Sequence, residues 1–191
     1  MSATMSLSKA AYVDAMALTT ARPGQVTRRI YLFRHAKSSW EGDGLEDHDR
    51  PLSPRGEHAA RAMADYVRRE GVAPDLVLCS TAVRARQTLE ALSLRGENRY
   101  EEGLYGAGAA WLVSRLRRVP GSVGSAMLVG HNPGLQDLAV LLAGKGDPLL
   151  LARVREKLPT GALIGLTFHG EWTSLAEHKA TLESFVTPRD L

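Results

Sequence analysis

Four apolar residues, Ile30 to Phe33, run directly into the pair Arg34-His35, and this stretch constrains the fold more than any other. An unbroken apolar run of this length is typical of a strand buried on both faces of a sheet. In open α/β sheets, ligands bind in the crevice beyond the carboxyl ends of such strands. The pattern makes His35 a candidate reactive group and Arg34 its anion-holding neighbour, although a histidine after a strand is also common as a capping or hydrogen-bonding residue.

Two further apolar runs end in the same way. Leu76–Cys79 leads into a helical segment whose first turn carries Arg84, and Ala126–Val129 leads into a loop that contains His131. Because strands alternate with helical segments, the sequence predicts an α/β fold, with three α/β/α layers and a mostly parallel central sheet. The carboxyl ends of parallel strands meet at one edge, so both imidazoles and both guanidiniums are expected to converge there.

The local signals between these strands predict the remaining elements. Ser53 is expected to cap a helix that begins at Pro54, and Ser80-Thr81 to cap the helix that carries Arg84. The other expected elements are a strand at Arg28–Phe33, a helix over Leu135–Leu142, a short helix at Leu149–Leu158, a strand at Ala162–Phe168, a tight turn at His169-Gly170 into Trp172–Leu175, and a tail without clear period over Ala180–Leu191.

Length and charge exclude several classes of protein. The 191 residues fit a single domain over residues 28–191, preceded by an extension over residues 1–27 that is expected to be flexible, with a short helix at Ala10–Leu18. The net charge is only +3 and arginine is scattered, so no nucleic-acid partner is expected. No apolar run reaches the roughly 18 residues of a membrane span. The single cysteine, Cys79, lies in an apolar run, so we expect a buried, inert thiol and a cytoplasmic setting.

Convergence of two arginines and two histidines needs a negative partner between them. A phosphoryl group suits this site, because the planar guanidinium fork matches phosphate oxygens and stays charged at any working pH. A metal fits poorly, since the arginines repel a divalent ion and no carboxylate is fixed beside either histidine. The chain also lacks the Gly-x-Ser-x-Gly elbow of serine hydrolases and the Lys-Ser/Thr of a nucleotide-binding loop.

Four blocks, in order, resemble the histidine phosphatase (phosphoglycerate mutase-like) superfamily. The first contains Arg34-His35, with Ala36 in place of the usual glycine, a variant similar to the SixA-type branch. The three later blocks are Arg50–Gly56, Ser80–Thr88 and Val129–Pro133. The segment Lys157–Ala162 in the tail is similar as well. The resemblance covers about residues 28–188 and implies a phosphoglycerate mutase-like fold.

The resemblance also implies a mechanism without metal or cofactor. His35 would attack phosphorus and become a phosphohistidine, while Arg34, Arg84 and His131 would hold the equatorial oxygens. Lys37 and Ser38 are further candidate substrate-binding residues. The general acid is expected at Glu101 or Glu102, and the acidic residues of the first loop are alternatives: Asp43, Glu46, Asp47 and Asp49.

Three functions remain open from the sequence. The favoured one is a phosphatase that dephosphorylates phosphohistidine in a protein, because no large insertion follows the second block to enclose a small substrate. The second is a phosphatase or mutase that acts on a small phosphorylated metabolite. The third, a non-catalytic phosphate-binding module, is disfavoured because both histidines and both arginines are present together.

Overall fold

A computed structural model describes residues 26–40 and 44–191. The predicted extension over residues 1–27, with its short helix at Ala10–Leu18, lies outside the described residues except for its last two positions.

Strands and helices alternate along the described chain. The strands are β1 (Thr27–Arg34), β2 (Leu76–Ser80), β3 (Glu97–Glu101), β4 (Ser125–Gly130), β5 (Ala143–Gly146), β6 (Leu163–His169) and β7 (Ala180–Val186). The helices are α1 (Pro54–Arg69), α2 (Val83–Leu92), α3 (Ala109–Leu116), α4 (Gly134–Leu142) and α5 (Pro148–Glu156). Short 3₁₀ turns lie at Asp47–Asp49, Glu102–Leu104 and Trp172–Ser174.

All seven strands form one sheet in the order β3-β2-β4-β1-β6-β7-β5. The pairs β3/β2, β2/β4, β4/β1 and β5/β7 are parallel, whereas β6 runs antiparallel to both of its neighbours. The predicted α/β class with a mostly parallel central sheet is therefore confirmed. Strand β1 lies in the middle, and its residue Arg34 is level with Gly130 of β4.

Two apolar clusters lie on opposite faces of this sheet. Helices α1 and α2 cover one face, where Met63, Val67 and Leu89 pack against Phe33 of β1. Helices α3, α4 and α5 contribute to the other cluster, which contains Ile30 and Leu32 of the same strand. Successive residues of β1 thus point to opposite layers, which explains why its sequence is apolar without alternation.

Helix α1 begins as predicted. The Ser53 hydroxyl accepts a hydrogen bond from the backbone N–H of Gly56 at 3.1 Å, and Pro54 occupies the first turn. Gly56 also allows a close approach: a Cβ at this position would lie 2.0 Å from the carbonyl oxygen of Lys37. The first turn of α1 is therefore fitted against the loop that follows His35.

The predicted cap of α2 is wrong in detail. The N-cap residue is Ala82, which makes no side-chain capping bond. The Ser80 hydroxyl accepts from the backbone N–H of Ala82 at 3.3 Å, and the Thr81 hydroxyl pairs with Nε2 of His48 at 2.9 Å. Both hydroxyls therefore form hydrogen bonds with residues near the end of β2, and neither caps a backbone N–H inside the helix.

Strands β3, β5 and β7 were not predicted. Strand β3 is an edge strand whose residues Glu97 to Tyr100 are exposed, so it carries no apolar pattern. The tail over Ala180–Leu191 contains β7, which pairs with β6 and β5. The expected turn at His169-Gly170 does not lead into a strand, because Trp172 begins a 3₁₀ turn and is buried against Phe168, with ring centroids 5.4 Å apart.

None of the helices in the described part of the chain combines the length and the apolar composition needed to cross a membrane.

Candidate active site

Three strands end at the same edge of the sheet. Arg34 ends β1, and the backbone N–H of His35 donates to the carbonyl of Gly130, the last residue of β4, at 3.0 Å. His131 follows directly, and Arg84 lies in the first turn of α2, just beyond β2. The structure therefore brings these four predicted residues to one edge, where the sequence placed them.

His35 is 7% exposed and its ring orientation is fixed by a backbone group. Its Nδ1 lies 2.7 Å from the carbonyl oxygen of Ala36. Because a carbonyl can only accept a hydrogen bond, Nδ1 carries the proton and Nε2 keeps the lone pair. The backbone N–H of Ala36 in turn donates to the Thr88 hydroxyl at 3.0 Å, which ties this segment to α2.

The pKa of His35 is lowered to about 4. Burial is the main cause, and the charges of Arg84 and Arg34 act in the same direction, against the hydrogen bond to Ala36 and the charge of Asp47. The imidazole is therefore neutral near pH 7, and Nε2 is available as a nucleophile. Arg84 Nε lies 3.4 Å from this nitrogen.

His131 lies beside His35, with ring centroids 4.9 Å apart. Its Nε2 is 2.8 Å from the hydroxyl of the fully buried Ser80. Burial lowers its pKa to about 3, with further contributions from His35 and Arg84. Two neutral imidazoles can share this space, whereas two charged ones would repel each other.

The two arginines are held differently. Arg34 Nη1 donates to the carbonyl of Leu158 at 2.7 Å, while its buried Nε has no hydrogen-bond partner among the described residues. Burial lowers the pKa of Arg34. Arg84 is buried and donates to Asp47 twice, from Nη2 to the carboxylate at 2.8 Å and from Nη1 to the backbone carbonyl.

Asp47 joins several groups around Arg84. Its carboxylate also accepts from Arg50 Nη1 at 2.8 Å and from the Tyr105 hydroxyl at 2.7 Å. The hydrogen bond from Tyr105 is the main reason that the pKa of Asp47 falls to about 2, and Arg84 and Arg50 add to the effect. Asp47 is therefore ionised at any working pH, and the ring of Tyr105 stands edge-on to His131 at 5.3 Å.

Of the predicted candidates for the general acid, Asp47 lies in the site beside Arg84, whereas Glu101, Glu102 and Asp49 lie in other surroundings. Glu101 forms two hydrogen bonds with Arg115, at 2.5 and 2.7 Å. Glu102 is exposed in a 3₁₀ turn. Of the first-loop alternatives, Asp49 lies 3.0 Å from Nδ1 of His48, and Asp43 falls outside the described residues. The assignment of a general acid stays a prediction.

A pocket of about 280 Å³ opens beside His35. Its lining residues are Arg34, His35, Lys37, Ser38, Trp40, Arg50, Arg84 and Thr160. Four of these carry a positive charge, which suits an anionic ligand. The predicted Lys37 and Ser38 are among them, whereas Trp40, Arg50 and Thr160 were not predicted as site residues. Arg50 and Thr160 stand in the segments Arg50–Gly56 and Lys157–Ala162 that resemble the superfamily, but nothing in the sequence indicates the contact between Arg50 and Trp40.

Within the described residues, no group of three or more His, Cys, Asp or Glu side chains is arranged to hold a metal ion.

Comparisons with known proteins identify the family of the chain. The model of the histidine phosphatase superfamily (branch 1) matches residues 30–105. An uncharacterized protein of Mycobacterium tuberculosis is 40% identical over 159 residues, which cover 82% of this chain and 100% of that protein. The solved structure of a proposed phosphohistidine phosphatase SixA from Nakamurella multipartitia is 33% identical, with a TM-score of 0.73 and coverage of 85% of this chain and 96% of that one. A second proposed SixA, from Agrobacterium tumefaciens, is also 33% identical, with a TM-score of 0.70 and coverage of 84% and 98%.

Proposed function

The chain belongs to the histidine phosphatase superfamily, and from that premise we propose that it is a phosphatase that passes a phosphoryl group from its substrate to His35 and then to water. The preferred substrate is phosphohistidine in a protein. The observation that carries the proposal is the buried, neutral His35, whose unprotonated Nε2 lies beside a pocket with four cationic side chains.

The reaction has two displacement steps. In the first, the lone pair of His35 Nε2 attacks phosphorus while the bond from phosphorus to the leaving group breaks, and the leaving group keeps that electron pair. In the second, water attacks the phosphohistidine, and the new P–O bond forms as the P–Nε2 bond breaks. The electron pair of that bond returns to Nε2, and the protons of the water leave with inorganic phosphate. Arg34, Arg84 and His131 hold the equatorial oxygens, whose charge needs stabilising in the transition state.

The leaving group supports a phosphorylated imidazole as the substrate. When the other ring nitrogen of phosphohistidine is protonated, the imidazole departs as a neutral ring. It therefore needs less help from a general acid than an alcohol leaving group does. This matters because Asp47, the carboxylate in contact with Arg84, is ionised and holds no proton to donate. The two solved relatives at 33% identity are themselves described as proposed phosphohistidine phosphatases.

The proposed reaction needs no metal. Guanidinium groups supply the positive charge that a divalent ion supplies in other phosphoryl-transfer sites. Activity is therefore expected to persist in EDTA and to be inhibited by vanadate, which adopts the five-coordinate geometry of the transition state. Loss of activity in EDTA that zinc or magnesium restores would contradict this part of the proposal.

Trapping the phosphoenzyme tests the proposal directly. The protein is mixed with a ³²P-labelled phosphohistidine protein, quenched in alkali, and compared with His35→Ala and with His58→Ala, a change at an exposed histidine of α1. We expect an alkali-stable label on the enzyme itself, separated from the labelled substrate by size, and turnover in wild type and His58→Ala, and neither in His35→Ala. A panel with phosphoserine, sugar phosphates, nucleotides and 3-phosphoglycerate decides the substrate class, and faster turnover of one of these would move the assignment to a small metabolite.

A further inference from the structure

The pocket beside His35 extends beyond the residues that are proposed to bind the phosphoryl group. Three of its eight lining residues, Arg34, His35 and Arg84, belong to the phosphoryl site. The remaining five extend the pocket beyond it: Lys37, Ser38, Trp40, Arg50 and Thr160. Because the attacking and leaving atoms stand roughly in line across phosphorus, the leaving group lies in the part of the pocket away from Nε2 of His35.

Trp40 is the most exposed large apolar side chain in the described part of the chain, at 82%. The guanidinium carbon of Arg50 lies 3.3 Å from the centroid of its ring. One face of the indole is therefore backed by a cation, and the high exposure means that the opposite face is open to solvent. An aromatic surface this exposed gains free energy when a ligand covers it.

Arg50 is itself rigidly held, so it can fix the ring. It is 8% exposed, and its guanidinium donates to the Ser39 carbonyl at 2.9 Å, the Ser38 hydroxyl at 2.9 Å and the Asp47 carboxylate at 2.8 Å. With these donors engaged within the protein, Arg50 serves as backing for Trp40 rather than as a free phosphate ligand. The aromatic face is thus presented in a set orientation at the pocket.

We propose that the open face of Trp40 is the leaving-group platform, on which the planar ring of an aromatic leaving group stacks while its phosphoryl group is transferred to His35. This rests on the proposed function for the transfer to His35, and it narrows the substrate to compounds whose phosphoryl group is attached to a ring, the imidazole of phosphohistidine above all. Trp40 then selects the substrate through stacking, without touching the phosphoryl oxygens.

Small substrates with and without a ring test the platform. We measure kcat/KM for N-phosphoimidazole, p-nitrophenyl phosphate and acetyl phosphate in wild type, Trp40→Ala and Trp40→Phe. Trp40→Ala is expected to lower kcat/KM for both ring substrates about tenfold, the size of one stacking contact, and to leave acetyl phosphate within about twofold of wild type. Trp40→Phe keeps a ring and restores most of the loss.

The matched control is Leu149→Ala, which removes another highly exposed apolar side chain, 76% exposed at the start of α5. It should change none of the three rates. An equal loss on all three substrates in Trp40→Ala, or no loss on any, would overturn the platform. A loss confined to a phosphohistidine protein, with N-phosphoimidazole unchanged, would also overturn it, because Trp40 would then contact the body of the protein substrate.

The two proposals fail in different ways. If wild type turns over no N–P substrate, the assignment of phosphohistidine fails, yet the ratio of p-nitrophenyl phosphate to acetyl phosphate still measures the ring preference. If His35→Ala abolishes turnover but Trp40→Ala leaves that ratio unchanged, the phosphatase assignment stands and the platform is wrong.

Discussion

Acidification is expected to destabilise the protein through His35. The pKa of this buried histidine is about 4 in the folded chain, against an ordinary value of about 6.5 in the unfolded chain. Between these two values the unfolded state binds more protons than the folded state, so the free energy of unfolding falls as the pH falls. The stabilisation is fully present above about pH 6.5 and is lost as the pH approaches 4.

The expected size follows from the difference between the two pKa values. At 1.36 kcal/mol per pH unit, the shift from 6.5 to about 4 corresponds to about 3 kcal/mol. His35 is only 7% exposed, so solvent screening reduces this figure little. A loss of this size is a large part of the free energy of unfolding of a typical domain, which is roughly 5–15 kcal/mol.

Urea unfolding at several pH values measures this contribution. Between pH 7 and pH 4 the wild type is expected to lose about 3 kcal/mol more than His35→Asn, which keeps a polar group at the site and has no titrating ring. Direct NMR titration of the His35 ring, with midpoint near 4, gives an independent value. Parallel stability profiles for the two proteins, or an NMR midpoint near 6.5, would refute the reasoning.

Three substitutions probe the surroundings of His35. Arg84→Lys keeps the charge but loses the fork that reaches both Asp47 and the phosphoryl site, so kcat/KM should fall about 100-fold, and a change within about threefold would contradict the role of the fork. Asp47→Asn weakens the contact that positions Arg84, so kcat/KM should fall. Because Asp47 is already ionised, the alkaline limb of the pH–rate profile should remain, and loss of that limb would identify Asp47 as the proton donor. Gly56→Ala places a Cβ 2.0 Å from the Lys37 carbonyl oxygen and should lower the free energy of unfolding, measured in urea titrations, by about 1–3 kcal/mol. Gly108→Ala is the control, because the space around its Cβ is open, and it should leave that free energy unchanged. Equal stability of the two variants would argue against the clash.

The sequence predicts the central strands well because they are buried on both faces. Residues Ile30 to Phe33 contact apolar layers on both sides of the sheet, so the apolar run itself identifies the strand. The edge strand β3 faces solvent and its polar sequence carries no such mark. Strand β7 alternates only at its start, where Ala180 and Leu182 are buried, because an irregularity in its pairing with β6 shifts the pattern before Phe185. Its period is therefore too short to identify the strand from the sequence.

The candidate site shows the same division. The ends of β1, β2 and β4 converge because of sheet topology, so His35, Arg84 and His131 could be grouped from the sequence alone. Contacts within the long first loop could not, because they depend on the path of an irregular segment. Asp47 reaches Arg84 across 37 positions in the chain, and only the folded loop distinguishes it from its acidic neighbours.

Charge balance explains why the site is stable before any substrate arrives. Two arginines stand beside two histidines, yet burial keeps both imidazoles neutral, with pKa values of about 4 and about 3, and Asp47 pairs with Arg84. A bound phosphoryl group brings negative charge next to both rings, which raises their pKa values. In the proposed reaction, the raised proton affinity helps His131 hold the phosphoryl oxygens, whereas His35, whose pKa starts at about 4, attacks in its neutral form. A site assembled from permanently charged lysines in place of the histidines would lack this response and would repel itself when empty.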